Sequence, residues 1–167
     1  KVLAVLGVVL RLLMGGELDG VLADRAEEAG VRIAFETVEG EALLRGLLNV
    51  FSSHPAVGFC LDAGHLQLVG GTFEAYVPVL GSRLKCLHIH DSDGVTDRHL
   101  APMAGIIPWK RFCMALKSIG YTGDLSFETF AQSRAALAVD EALLLPTLRY
   151  ICTAGESFRR QITGENE

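Results

Sequence analysis

The sequence alternates between short apolar runs and longer stretches with helical spacing, and this alternation limits the folds that the chain can adopt. Five apolar runs are each followed by a segment in which apolar residues recur every three or four positions. Strands that alternate with helices form parallel α/β sheets with right-handed crossovers. Nearly continuous apolar runs are typical of strands that are buried on both faces. The predicted strands are VLAVLGVV, VRIAFET, AVGFCLDAGH, RLKCLHIHD and DLSFET.

Local signals set the ends of the predicted helices. The first helix, LDGVLADRAEEAG, ends at Gly30, and the helix in PWKRFCMALKSIG begins at Pro108 and ends at Gly120. EALLRGLLNVFSSH is amphipathic, whereas Pro78 weakens the helix in GTFEAYVPVLGS. The region RAALAVDEALLLPTLRYICTAGESFRR is predicted to be a long helical region with a bend near Pro146.

Length and composition indicate one domain over residues 1–167, because no linker or low-complexity segment divides the chain. An open doubly wound sheet and a (β/α) barrel both fit the alternation. No GxGxxG or GxxxxGKS/T motif follows a strand, and acids or imidazoles end the later strands, which favours the barrel. A complete eight-stranded barrel takes about 250 residues, so we expect a partial TIM-type barrel with about five βα units.

Charge and cysteine content exclude some functional classes. The net charge of -5 gives the chain no general attraction to nucleic acid or anionic membranes. The first apolar run is interrupted by Arg11 and is too short to span a bilayer. The cysteines form no CxxC pair and are predicted to be core thiols rather than disulfides, which favours a cytoplasmic location. They are Cys60, Cys86, Cys113 and Cys152.

Four metal-ligand residue types lie at matching ends of successive predicted strands. Parallel strands bring their carboxyl ends to one rim, where these side chains would converge. Three carboxylates in a partly dry site repel one another unless a cation neutralises them. The mixed oxygen and nitrogen set predicts one divalent ion, Mn²⁺, Co²⁺, Mg²⁺ or Zn²⁺. The predicted ligands are Glu36, Asp62, His88 and Glu128.

Further polar residues follow the same strands. His65 lies three positions after Asp62, and Asp97 and His99 flank Arg98 in the loop after the fourth strand. These residues are candidates for a second metal, for orienting the first ligands or for binding substrate, and the alternative is an ordinary polar surface loop. His90, two positions after His88, is predicted to lie on the same face of the strand as His88.

The quoted blocks resemble a known family over residues 18–135. VRIAFET, GFCLDAGH, LHIHDSDGVTDRHLAPMAG and IIPWKRFCMALKSIGYTGDLSFET are similar to consecutive blocks of the xylose isomerase-like TIM barrels, in particular the sugar phosphate isomerase/epimerase group. The related endonuclease IV family shares this fold. The D-x-x-H block and the H-x-x-D…D-x-H block carry most of the resemblance.

The resemblance implies roles for individual residues. In the family's single-metal members, the positions of Glu36, Asp62, His88 and Glu128 bind one divalent ion, and the position of His65 contacts substrate. In endonuclease IV relatives, the positions that match three residues of this chain bind a further zinc. These are His65, Asp97 and His99.

Two departures from the family pattern stand out. Many relatives have a P-G-E-G turn where this chain has residues 102–105, Pro-Met-Ala-Gly, so the acid of that turn is missing. A full family barrel also has about three βα units before the first strand seen here. We therefore expect either a fragment or a shortened protein that covers its open edge by forming a homo-oligomer.

The leading hypothesis is a sugar or sugar phosphate isomerase or epimerase, with Glu36 and Glu128 as the acid/base pair and His65 holding a substrate oxygen. Arg98 is a candidate phosphate ligand. A second hypothesis is an endonuclease IV-like zinc phosphodiesterase acting on abasic DNA, although the chain lacks clusters of Lys and Arg. A third is a half-barrel without catalytic activity.

Overall fold

The computed structural model describes residues 2–6, 17–37, 40–51 and 53–165. Its centre is a five-stranded parallel sheet in which the strand order follows the chain order, β1-β2-β3-β4-β5. A doubly wound sheet would change direction part-way, so the observed order is that of a barrel segment. The strands are β1 (Val2–Leu6), β2 (Arg32–Glu36), β3 (Val57–Asp62), β4 (Leu84–Ile89) and β5 (Ser126–Phe127).

Helices connect the strands on one side of the sheet, as the alternating pattern predicts. None of the helices in the described ranges is long and apolar enough to cross a membrane. The helices are α1 (Glu17–Glu28), α2 (Glu41–Val50), α3 (Ala63–Leu68), α4 (Phe73–Leu80), α5 (Trp109–Ser118), α6 (Phe130–Val139) and α7 (Leu144–Thr163).

The predicted third strand was too long. The strand ends at Asp62, and α3 begins at Ala63 because the Asp62 carboxylate accepts a hydrogen bond from the backbone N–H of His65 at 2.8 Å. This cap turns the chain sharply at the rim of the sheet. His65 therefore lies one helical turn beyond Asp62 instead of continuing the strand.

The predicted bend near Pro146 was also misplaced. The helical region breaks at Asp140, whose extended backbone and side chain cap a short 3-10 turn over residues 141–143. Pro146 lies in the first turn of α7, where its missing N–H has no helical partner to lose. The aspartate, and not the proline, therefore separates α6 from α7.

The core lies between the sheet and the helices. Phe59, Leu61, Leu87 and Ile89 alternate along β3 and β4 and have no exposed surface. Because alternate strand residues share a face, Cys60, Asp62, Cys86 and His88 point to the other face, which is the barrel interior. Apolar packing and polar chemistry are thus separated on opposite faces of two strands.

Phe112 is central to the packing of the helices. It is fully buried, and its ring centroid lies 5.2 Å from that of Phe73, 5.5 Å from that of Trp109 and 6.0 Å from that of Phe158. Three helices, α4, α5 and α7, therefore meet around one aromatic side chain.

Replacing Phe112 with Ala is expected to lower the free energy of unfolding by about 3–5 kcal/mol, because the surrounding rings cannot fill the cavity. Met114→Ala on the same helix is the matched control, since Met114 is 61% exposed. That change is expected to cost less than about 0.5 kcal/mol. Equal losses in urea unfolding curves would contradict this assignment of the core.

Candidate metal centre and active site

The four predicted ligands stand at the carboxyl ends of four neighbouring strands. Glu36 is the last residue of β2, Asp62 is the last of β3, and Glu128 directly follows β5. His88 is the next-to-last residue of β4 and is the register partner of Asp62. Parallel pairing therefore places the four side chains on one rim, as the sequence predicts.

The four side chains converge around the imidazole of His88. Its Nδ1 lies 3.0 Å from Glu36 Oε1, 3.4 Å from Glu128 Oε1 and 3.9 Å from Asp62 Oδ2. The side chain of Asp62 is fully buried, whereas that of Glu128 is 28% exposed. Asp62, His88 and Glu128 place ligand atoms within 4.8 Å of one another, and Glu36, Asp62 and His65 do the same.

Two buried polar atoms at this point have no hydrogen-bond partner among the described residues. They are Asp62 Oδ2 and His65 Nδ1, which lie 3.5 Å apart. An unpartnered buried carboxylate oxygen is costly, and a bound cation would satisfy it. The donor set of carboxylates and imidazoles thus fits a divalent ion with mixed oxygen and nitrogen ligands.

His65 and Asp97 connect this set to a second cluster. Asp97 Oδ2 lies 3.2 Å from His65 Nε2, and Asp97 Oδ1 lies 3.3 Å from His99 Nε2 and 4.0 Å from His90 Nε2. His65, His90, Asp97 and His99 place ligand atoms within 4.8 Å of one another. Three residues of this second cluster were singled out from the sequence, and the structure brings them together.

His90 was not identified as a candidate ligand from the sequence. Its side chain is fully buried, and its Nε2 has no hydrogen-bond partner among the described residues, although it lies 3.0 Å from Asp62 Oδ1. The structure places His90 in the second cluster, where it also faces the carboxylate of Asp62, as His88 does. The spacing H-x-H was the available signal, but it does not show that Asp97 and His99 of the following loop approach His90.

Close packing holds the ring of His90. A Cβ at Gly64 would lie only 1.9 Å from His90 Cε1, so this position of α3 has no room for a side chain. On its other side, the His90 ring stacks on His99 with ring centroids 4.0 Å apart. The imidazole is therefore fixed between a backbone and a second imidazole.

His99 reaches the cluster through an uncommon backbone conformation. Its φ is 47°, in the left-handed region that non-glycine residues rarely adopt. Two backbone hydrogen bonds between Asp91 and Leu100, of 2.7 Å and 3.0 Å, hold the adjacent chain. His99 Nδ1 also lies 2.9 Å from the carbonyl oxygen of Glu128, which ties this loop to the end of β5.

Two other polar residues lie outside both clusters. The guanidinium of Arg98 is 60% exposed and lies 3.6 Å from Asp93 on the same loop. The buried Asp91 accepts hydrogen bonds from Trp109 Nε1 at 3.0 Å and from the backbone N–H of Ile107 at 3.1 Å. Asp91 therefore anchors the loop between β4 and α5 instead of facing the ligand set.

The imidazoles balance the carboxylates electrostatically. The carboxylate of Glu36, 3.5 Å from His65 Nδ1, is the largest effect that raises the pKa of His65 to about 9, against the opposing effect of burial. Although burial acts to raise the pKa of Glu36, the nearby imidazoles of His65 and His88 hold it well below its usual range. The pKa of His88 and that of His90 are also raised, because nearby carboxylates outweigh burial.

Most of the chain matches a single protein family. Residues 20–148 match the xylose isomerase-like TIM barrels, and the solved structures with this fold include sugar epimerases. The chain belongs to this family. The family and the fold class implied by the sequence blocks are thereby confirmed.

Individual relatives match over part of their length. An uncharacterised protein of Sinorhizobium fredii, y4fM, is 35% identical over 107 residues, which are 61% of this chain and 34% of the relative. The inosose isomerase of Bacillus subtilis is 29% identical over 135 residues, which are 73% of this chain and 48% of the relative. The chain therefore spans less than half the length of either relative.

One solved structure adds a ligand-bound relative. The D-allulose 3-epimerase from Methylomonas sp., solved in complex with D-allulose, is 27% identical and superposes with a TM-score of 0.56. The match covers 67% of this chain and 40% of that protein.

In metal-free protein, the His65 imidazolium is expected to stabilise the fold below its ordinary pKa of 6.5 and to lose this effect as the pH rises through about 9. The free energy of unfolding, measured with urea after treatment with a chelator, should therefore fall between these pH values. His65→Gln is expected to lessen this fall. Identical pH profiles for the parent and the variant would contradict the assignment.

Proposed function

We propose that this chain carries the metal-binding half of a sugar isomerase or epimerase that depends on a divalent metal ion. The observation that carries the proposal is the convergence of three strand-end carboxylates on the Nδ1 of His88, one of which, Asp62, has a buried oxygen without a hydrogen-bond partner among the described residues. One ion of Mn²⁺, Co²⁺, Mg²⁺ or Zn²⁺ suits this set. The proposed ligands are Glu36, Asp62, His88 and Glu128.

When bound, the ion would polarise the carbonyl and hydroxyl oxygens of a substrate and make the adjacent C–H more acidic. We assign the proton transfer to the two glutamates. Glu128 has the most exposed side chain of the four ligands and removes the proton. Glu36, which lies 3.0 Å from the same nitrogen of His88 that Glu128 approaches, returns it.

We assign to His65 the role of holding a substrate oxygen. Its ring lies between Glu36 and Asp97, and its raised pKa keeps a proton available for donation. A protonated imidazole beside the reacting oxygen would stabilise the negative charge that develops there. Arg98 is retained as a weaker candidate for a phosphate group, because its guanidinium is exposed on the loop after β4.

The substrate class follows from the named relatives. Inosose isomerase and D-allulose 3-epimerase are named for small polyhydroxy ketones, and we extend this class to the present chain as a sugar, a sugar phosphate or a related ketone. Since the chain spans less than half of these relatives, the activity is assigned to a closed assembly. A homo-oligomer or further βα units would complete the pocket. The four free cysteines favour a cytoplasmic setting for it.

The first experiment compares Glu128→Gln and His88→Ala with the control Glu141→Gln, which lies on the turn between α6 and α7. The parent and the control are expected to hold one divalent ion per chain by elemental analysis, and the two site variants are expected to lose it. Exchange of the substrate α-proton with D₂O, assayed on D-fructose, D-allulose and inosose, should fall by about 10²–10⁴-fold in Glu128→Gln.

Retention of the metal by both site variants would contradict the ligand assignment. A bound ion without any proton exchange on these ketones, in a protein shown to be folded, would favour the half-barrel without catalytic activity.

The second cluster supports one alternative function. Three imidazoles around Asp97 form a set that suits zinc, as a multi-zinc phosphodiesterase acting on abasic DNA would require. The net charge of -5 argues against a surface that binds DNA.

Zinc stoichiometry distinguishes the two functions. On the phosphodiesterase hypothesis, the parent binds more than one Zn²⁺ and cleaves a duplex with an abasic-site analogue, and His99→Ala loses one zinc ion together with cleavage. A single ion in both proteins, with no cleavage, would leave the epimerase proposal as the better account.

A further inference from the structure

Two thiols lie directly beneath the ligand set, in the interior of the barrel segment. Cys60 precedes Asp62 by two residues on β3, and Cys86 precedes His88 by two residues on β4. Residues two apart on a strand share a face, so each thiol points to the same side as the ligand above it. This pair has no role in the proposed proton transfer.

The register places the two cysteines side by side. Cys60 pairs with Cys86 just as Asp62 pairs with His88 in the next row towards the rim. Neighbouring strands are about 4.7–4.9 Å apart, which brings paired side chains on one face into contact.

The two cysteines differ in their exposure to solvent. Cys60 has no exposed surface, whereas Cys86 is partly exposed on the interior face. The residues on the same face closest in register are Glu36, the partner of Cys60 on β2, and His88 above Cys86. The two sulfur atoms thus lie one row below Asp62 and His88 and in the same row as Glu36.

We propose that Cys60 and Cys86 form a binding site for a soft, thiophilic metal ion, separate from the carboxylate-rich set at the rim. Thiolate sulfur selects soft ions, while carboxylate oxygen suits hard ones, so the two layers of the pocket differ in the ions they prefer. Binding of one divalent ion replaces the two S–H bonds with two metal–sulfur bonds and releases two protons to the solvent. The ion keeps its oxidation state, so no oxidant is required.

The test uses Cd²⁺ alone as the probe, added to fully reduced protein. The ultraviolet charge-transfer band of the cadmium–thiolate bond is expected to appear and to saturate at one ion per chain. Cys86→Ser and Cys60→Ala are each expected to lose most of this band. Cys113→Ser, a buried cysteine on α5, and Cys152→Ser, an exposed one on α7, are matched controls that should keep it.

Three outcomes would overturn the proposal. They are no cadmium–thiolate band in the parent, an undiminished band in both Cys86→Ser and Cys60→Ala, and loss of the band in Cys152→Ser. Far-UV circular dichroism confirms that each variant is folded, and Cys86→Ala repeats the test with a smaller side chain if Cys86→Ser does not fold. The readout does not depend on the proposed enzyme activity. A protein that binds no Mn²⁺ and exchanges no substrate proton, yet shows the cadmium band through both thiols, would refute the proposed function alone.

Discussion

The structure depends on how it neutralises carboxylates that converge at one buried point. Asp62 is fully buried, Glu36 is nearly so, and their carboxylates place oxygen atoms within 4.8 Å of each other, where two negative charges repel. The nearby carboxylates raise the pKa values of His65, His88 and His90 against the effect of burial, which favours the protonated imidazoles as the opposing charge. A divalent cation and these protons therefore compete for the same negative charge, which links metal binding to proton release.

A single buried carboxylate shapes the loop that carries three of the four residues of the second cluster. Asp91 accepts hydrogen bonds from the N–H of Ser92 at one end of the loop and from Ile107 and Trp109 at the other. A Cβ at Gly105 would lie 2.4 Å from the Asp91 carboxylate, so the loop closes tightly on it. With both ends fixed, the strained backbone of His99 is held in place by its surroundings.

Much of this arrangement could be predicted from residue types alone. The alternation of patterns gave the parallel sheet, and the matching ends of its strands gave the convergence of Glu36, Asp62, His88 and Glu128, because both depend on local periodicity. The role of His90 in the second cluster could not be predicted, since it depends on the chain turning after β4 and on the absence of a side chain at Gly64. The break at Asp140 was missed because a local cap outweighed the more familiar signal of Pro146.

The contact between Gly64 and His90 has a consequence for how this pocket can change over evolution. A side chain at position 64 would occupy the space of the His90 ring. Any residue larger than glycine at position 64 therefore requires a residue smaller than histidine at position 90. A single substitution at either place would open a void or create a clash, and only a paired change keeps the packing. These two positions, on different segments of the chain, are therefore expected to vary together among homologous sequences.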